Sequence, residues 1–145
     1  MKVSSFDLDV LARTIYGEAR GEYNHPRGGI SSYIAVANVV MNRVKKNTWF
    51  GNTIRDVCLK PYQFSCWNNN DPNYKIIKKS HLSDGFFHIC RNVANNVSNG
   101  IWPDLTSGCD HYYCIKMEKP PKWSLGKKPV IEIGNHRFFN LSGVK

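Results

Sequence analysis

The segment ISSYIAVANVVMNRVKK, residues 30–46, most constrains what this chain can fold into. Ile30, Tyr33, Ile34, Ala37, Val40, Met41 and Val44 fall on one helical stripe, and Val36 and Val39 add apolar side chains on other faces. A helix this apolar all round is stable only when other elements cover it on every side. The rest of the chain must therefore wrap around it. Ser31, Asn38 and Asn42 form a narrow polar seam along the same helix. Buried polar side chains require partners, so the seam predicts either another element packed on it or a wet cleft.

The covering elements are legible on both sides. Leu8, Leu11, Ala12, Ile15 and Ala19 repeat at helical spacing, behind a Ser4 cap with Asp7 three residues on. Gly21 reads as the stop of that helix. Thr53 caps a short helix over Ile54–Leu59, and PYQFSCWN reads as a strand or an ordered loop. Asp71–Pro72 opens another helix, with proline at its first position. Phe86, Cys90, Val93, Ala94 and Val97 mark one more, ending at Gly100. Beyond Gly100 the runs HYYCIK, PVIEI and HRFFNL read as strands, with Gly134–Asn135 as the tight turn between the last two. The fold class is α+β, mainly helical, with a small C-terminal antiparallel sheet. A length of 145 residues predicts one domain over 1–145.

The formal net charge is +9, which favours an anionic partner: nucleic acid, a membrane surface or a bacterial cell wall. RVKKNTW and KIIKKSH are short basic runs of the kind found on solvated faces, and no nucleic-acid-binding signature accompanies them. No apolar run reaches the length of a membrane span, so stable membrane insertion is not expected. MKVSSFDLDV lacks the apolar stretch of a secretory signal. The expectation is synthesis in the cytoplasm. The five cysteines, an odd number without a CxxC pair, read as reduced thiols. Cys109, His111, Cys114 and His136 are ligand types, but their spacing fits no standard zinc module.

Glu18 is the residue that ordinary helix design does not explain. At 100° per residue it lies about 20° from Leu11 around the axis, at the edge of the buried stripe. It also falls in the last turn, against the negative end of the helix dipole. One account is a solvated acid, or one paired with Arg13, Arg20 or Arg43. The other is functional. Burial and the dipole both raise a carboxyl pKa, and a glycosidase general acid needs a raised pKa to hold its proton near neutrality.

The blocks ARTIYGEARGE, AVANVVMNRV, PYQFSCW, PDLTSGCDHYY, PPKW and IGNHRFF, in that order from about residue 8 to 139, resemble the cell-wall hydrolase family of the spore cortex-lytic enzymes. Phages encode related lysis enzymes. The chain departs from the family pattern at Leu105 and Cys109. The resemblance implies a fold like that of lysozyme and lytic transglycosylases, and a peptidoglycan glycan strand as substrate, cut after N-acetylmuramic acid. It implies that Glu18 is the catalytic acid and that no metal or cofactor is needed. With the missing signal, it points to a monomeric phage endolysin that reaches the wall after release from the cytoplasm.

Glycosidases that work with two carboxylates need a second acid. Glu22, Asp71, Asp104, Asp110 and Glu132 are available, and none is persuasive. Glu22 lies close enough in sequence to tune the pKa of Glu18 or to serve the structure; Asn38 and Asn42, from the polar seam, are candidates for the same two roles. Asp104 is placed to shape a turn with Thr106. A lytic transglycosylase needs one acid only, so that route is favoured over a hydrolytic muramidase. The reading from another class is a non-catalytic basic domain that binds wall or nucleic acid. Candidate substrate-binding residues are Gln63, Phe64, Ser65, Thr106, His111, Tyr112 and Tyr113. On a strand, His111 and Tyr113 share a face and Tyr112 takes the other.

Overall fold

The computed structural model describes residues 3–79 and 84–142. Five helices come first: α1 (Ser5–Ala19), α2 (Ile30–Lys46), α3 (Ile54–Leu59), α4 (Pro72–Lys79) and α5 (Gly85–Ser98). Three short strands follow: β1 (His111–Cys114), β2 (Ile131–Ile133) and β3 (His136–Phe139). None of the described helices is long and apolar enough to cross a membrane.

The local signals mostly act as their chemistry dictates. Ser4 and Asp7 form the reciprocal capping box of α1, and the Thr53 hydroxyl accepts from the Asp56 N–H to open α3. Pro72 is the first residue of α4, and Asp71 accepts from the Asn73 N–H. Asp84 caps α5 through the N–H groups of Phe86 and Phe87. Gly21 differs from expectation. It takes no left-handed φ. The chain passes from α1 into a 3-10 turn, Arg20–Glu22, which contains it. PYQFSCWN forms turns and a 3-10 turn at Ser65–Trp67, so the ordered-loop reading holds and the strand reading does not.

The sheet is antiparallel in the order β1-β3-β2. Gly134, at φ +59°, takes the left-handed position of the two-residue turn between β2 and β3. Tyr112 lies opposite Phe138, and Glu132 opposite Arg137.

Helix α2 is central, as its composition requires. Tyr33, Val36, Ala37 and Val40 join the large helical core with Leu11 and Ile15 of α1 and Phe87 and Val93 of α5. Ala35 and Val39, on the opposite face, pack against Cys109, Ile133 and Phe138 under the sheet. Burying a side chain of this size contributes about 1.5–3 kcal/mol. Ile30 departs from the predicted stripe and is 46% exposed at the helix start. The polar seam meets a second element rather than a cleft. Asn38 accepts from the Leu105 N–H (3.0 Å), and Asn42 donates to Asp104 (2.9 Å) and to the Cys109 carbonyl (3.0 Å). These bonds fix the loop over residues 104–109 on α2 and set where β1 begins.

Candidate active site

Glu18 lies at the floor of a cleft of about 540 Å³, walled by the 3-10 turn Ser65–Trp67, by β1 and by the segment that carries Trp123. Gly17 makes the site possible. A Cβ there would stand 2.6 Å from Cβ of Cys66, so only glycine lets the 3-10 turn approach α1 this closely. The turn is locked by Trp67, whose ring N–H donates to the Thr14 hydroxyl at 2.9 Å. The approach brings the Cys66 N–H and thiol close enough to the Glu18 carboxyl to favour its ionised form. From the sheet side the Tyr112 hydroxyl donates to Glu18 Oε1.

Burial is the largest influence on Glu18 and raises its pKa above the usual carboxylate value. The Tyr112 bond and the nearby Cys66 N–H and thiol oppose that rise, and the charge of Asp71 adds to it. The result is a carboxylic acid that keeps its proton beyond the ordinary range and still has donors ready for its ionised form. Glu18 also pushes up the Tyr112 hydroxyl and the Cys66 thiol, though burial is the main cause for each, so both remain donors.

Arg43 lies under the same cleft. Its guanidinium carbon sits 4.9 Å from the ring centre of Phe50 and 5.1 Å from that of Phe64. Nε donates to the Asp110 carbonyl at 2.8 Å. Burial lowers its pKa. Its buried position follows from α2 being apolar all round.

The remaining predicted residues separate into groups. Ser65 is exposed at the rim and Tyr113 forms part of the wall, its hydroxyl accepting from Arg137 at 3.1 Å. Tyr112 is not a sugar platform: its ring packs on Phe138 (5.5 Å) and His136 (5.1 Å), and its hydroxyl serves Glu18. Phe64 is 2% exposed, so its ring offers no face to a ligand. The Gln63 amide donates to the Phe50 and Val57 carbonyls at 3.1 and 2.7 Å, which anchors its own loop. Thr106 is fully buried in the turn with Asp104, out of reach of any ligand in the cleft. His111 lines a neighbouring hollow instead, with Nδ1 2.9 Å from Asp110.

Glu22 is a structural clamp. Its carboxylate accepts from the Asn135 N–H at 2.6 Å and the Asn135 side chain at 2.7 Å, tying the end of α1 to the hairpin turn. The carboxylate that raises the Glu18 pKa is Asp71, not Glu22. Among the described residues lining the cleft, Glu18 is the only carboxylate. Asp104 is held by Asn42, Thr106 and Gly108, and Asp110 by Lys46, His111 and the N–H groups of Leu141 and Ser142. Glu132 is paired with Arg137 at the surface. Among the described residues no three His, Cys, Asp or Glu side chains converge to hold a metal.

Sequence reasoning missed Cys66, and it offered Arg43 only as an ion-pair partner of Glu18. Gly17 beside Glu18 signals that some segment comes close, but not which one. An arginine inside an all-round apolar helix signals burial near an anion or an aromatic box.

The spore cortex-lytic enzyme of Bacillus cereus is 27% identical over 140 residues, which is 93% of this chain and 44% of that protein. The chain thus spans less than half the length of the curated relatives it matches. The crystal structure of the catalytic domain of the Bacillus cereus SleB protein superposes with a TM-score of 0.66 at 25% identity, covering 96% of this chain and 93% of that one. The catalytic domain of the germination-specific lytic transglycosylase SleB from Bacillus anthracis gives 0.67 at 26% identity, covering 94% and 96%. The sequence pattern of the family described as Cell Wall Hydrolase matches residues 29–139. That stretch begins after α1, so Glu18 lies outside it, but it takes in the central helix, the 3-10 turn of Cys66 and the whole sheet. The chain belongs to the cell wall hydrolase family.

Proposed function

We propose that this chain cleaves the MurNAc–GlcNAc β-1,4 bond of peptidoglycan as a lytic transglycosylase in which Glu18 is the single catalytic acid. Protonated Glu18 donates to the bridging oxygen as the bond from C1 breaks. The N-acetyl group of the same sugar supports C1. The ionised Glu18 then takes the proton of the C6 hydroxyl as that oxygen bonds to C1, which gives a 1,6-anhydro end and regenerates the acid. No water is consumed.

The observation that carries this reading is that Glu18 is the sole carboxylate among the described residues lining the cleft. A paired-acid mechanism needs a second carboxyl across the sugar; Glu22, Asp104, Asp110 and Glu132 are engaged elsewhere, and Asp71, whose charge reaches Glu18, accepts from the Asn73 N–H at the start of α4 and is not among the described residues lining the cleft. The one-acid cycle also asks Glu18 to be stable in both forms. Burial favours the protonated form, and the donors of Tyr112 and Cys66 support the ionised one. The similar Bacillus anthracis protein is a lytic transglycosylase, which agrees with this chemistry.

The reading extends to setting. A monomeric phage endolysin, made in the cytoplasm and admitted to the wall when the membrane is breached, accords with the basic charge and the resemblance to lysis enzymes. Expression in a bacterial host should then lyse cells only after the membrane is permeabilised.

Glu18→Gln tests the chemistry. The amide keeps the shape but transfers no proton, so wall lysis should fall by about 10²–10⁴-fold. A folded variant with more than half of wild-type lysis would exclude Glu18 as the acid.

A further inference from the structure

Tyr62 stands between the Glu18 cleft and an adjoining hollow of about 270 Å³, and it lines both. The two share Arg43, Gln63, Tyr112 and Trp123 as well, so they form one continuous trough. Tyr62 takes a left-handed backbone, φ +65°. That conformation is costly for a bulky residue, and glycine would occupy it without strain. Its side chain is 88% exposed, so packing within the protein does not offset the cost. The loop around it is anchored: the Gln63 N–H bonds the Lys60 carbonyl (3.1 Å), and the Gln63 amide bonds Phe50 and Val57. A strained, fixed backbone thus holds a bare aromatic ring at the lip of the cleft.

We propose that Tyr62 is a sugar-stacking residue that carries the glycan strand past the cleavage point into the outer hollow. The inference rests on the glycan-cleaving reading of the Glu18 cleft. A pyranose presents an apolar face of C–H groups, and an exposed phenol ring at a groove edge is a surface that such a face covers. The hollow is lined further by Trp49, His111 and Trp123 and by no carboxylate among the described residues. The two tryptophan rings, with Tyr62, give the hollow the aromatic surface that a pyranose face covers, and a stem peptide is the competing occupant that the test separates. The Lys60 ammonium donates to the Trp49 carbonyl and lies 5.2 Å from that ring's centre, and Arg43 is buried between two rings.

The test is binding, which does not depend on turnover. The Glu18→Gln protein, with and without Tyr62→Gly, is titrated calorimetrically with glycan strands, a tetrasaccharide and a dodecasaccharide, each peptide-free and with stem peptides. Tyr62→Gly relieves the backbone, so the variant should melt no lower than its parent. It should lose about tenfold of the preference for the longer strand, from the loss of one aromatic contact, and Tyr62→Phe should keep that preference. An unchanged preference, or equal weakening on both strands, would overturn the proposal. So would a loss confined to strands that carry stem peptides, since the occupant would then be the peptide. Failure of the catalytic reading would look different: wild-type protein would leave both strands uncut while the binding difference persisted.

Discussion

The Tyr112 hydroxyl donates to Oε1 of Glu18 from a strand 94 residues further along the chain. The ring that carries this hydroxyl packs against Phe138 of the neighbouring strand, and Phe138 in turn packs on Ala35 and Val39 of α2. The acid at the end of α1 is therefore positioned through the central helix and the sheet, not by its own helix alone.

Removing that hydroxyl separates positioning from bulk. Tyr112→Phe keeps the ring and deletes a bond that favours ionised Glu18. Bonds to charged groups are worth about 1.5–3 kcal/mol, so kcat should fall by about 10–100-fold. The Glu18 pKa should rise further, and the alkaline limb of the pH–rate profile, where the acid loses its proton, should move to higher pH. A pH profile of lysis for both proteins checks this; an unmoved limb would show that the bond does not reach the reacting carboxyl.

Glu18 also carries a stability signature. Its folded pKa lies above the ordinary 4.5 because burial penalises the charged form. The folded state therefore binds the proton more tightly than the unfolded chain, and stability declines as pH rises from about that ordinary value through the folded pKa. Glu18→Gln removes this penalty. The variant should melt higher than wild type near neutral pH, and the gain should vanish in acid below the ordinary carboxylate value. Thermal unfolding at the two pH values decides it, and a gain that persists in acid would have another cause.

Asp110 has the opposite sign. Hydrogen bonds from His111, Leu141, Ser142 and Lys46 outweigh its burial and hold its carboxyl far below the usual range. Its contribution is full above the unfolded value of 3.8 and is lost as pH falls toward the folded one. The pair with Lys46, at 3.0 Å, is buried on both sides. Asp110→Asn leaves that ammonium without its anion, and denaturant unfolding should show a loss of about 3–5 kcal/mol. A loss within error would mean that the Gly108 carbonyl and Asn140 satisfy Lys46 alone.

Gly17 links packing to chemistry. Gly17→Ala places a methyl group 2.6 Å from Cys66 Cβ and 3.0 Å from a methyl of Ile77. The 3-10 turn must move, at about 1–3 kcal/mol for overpacking, and Cys66, which favours ionised Glu18, moves away with it. Activity at a temperature where the variant is folded should drop. Full activity in a destabilised variant would detach Cys66 from the function.

The helices were legible because their signals are local. The Ser4 and Thr53 caps, Pro72, and the all-round apolar face of residues 30–46 each act within a few residues. The clamp on Glu18 was not legible, because Cys66 and Tyr112 reach it across many residues and neither has a distinguishing neighbour in the sequence. Thr106 and Phe64 were read as cleft residues from their blocks alone. Burial removed Thr106, which completes the Asp104 turn; Phe64 does line the cleft, with its ring buried against Arg43. Glu22 was close enough in sequence to suggest tuning of Glu18, but the chain turns after Ala19 and delivers its carboxylate to Asn135. Tyr62 left no trace, since a left-handed φ at a tyrosine is imposed by the anchored loop around it rather than by its own preference.

The most direct test of the account is the mass of the products. Purified peptidoglycan is digested to completion and the released muropeptides are analysed by mass spectrometry. If Glu18 works alone, they carry 1,6-anhydro-muramic ends, lighter by one water than hydrolysed ends. Reducing muramic ends throughout, with no anhydro species, would contradict the single-acid cycle and require water, with a second base, at the floor of the cleft.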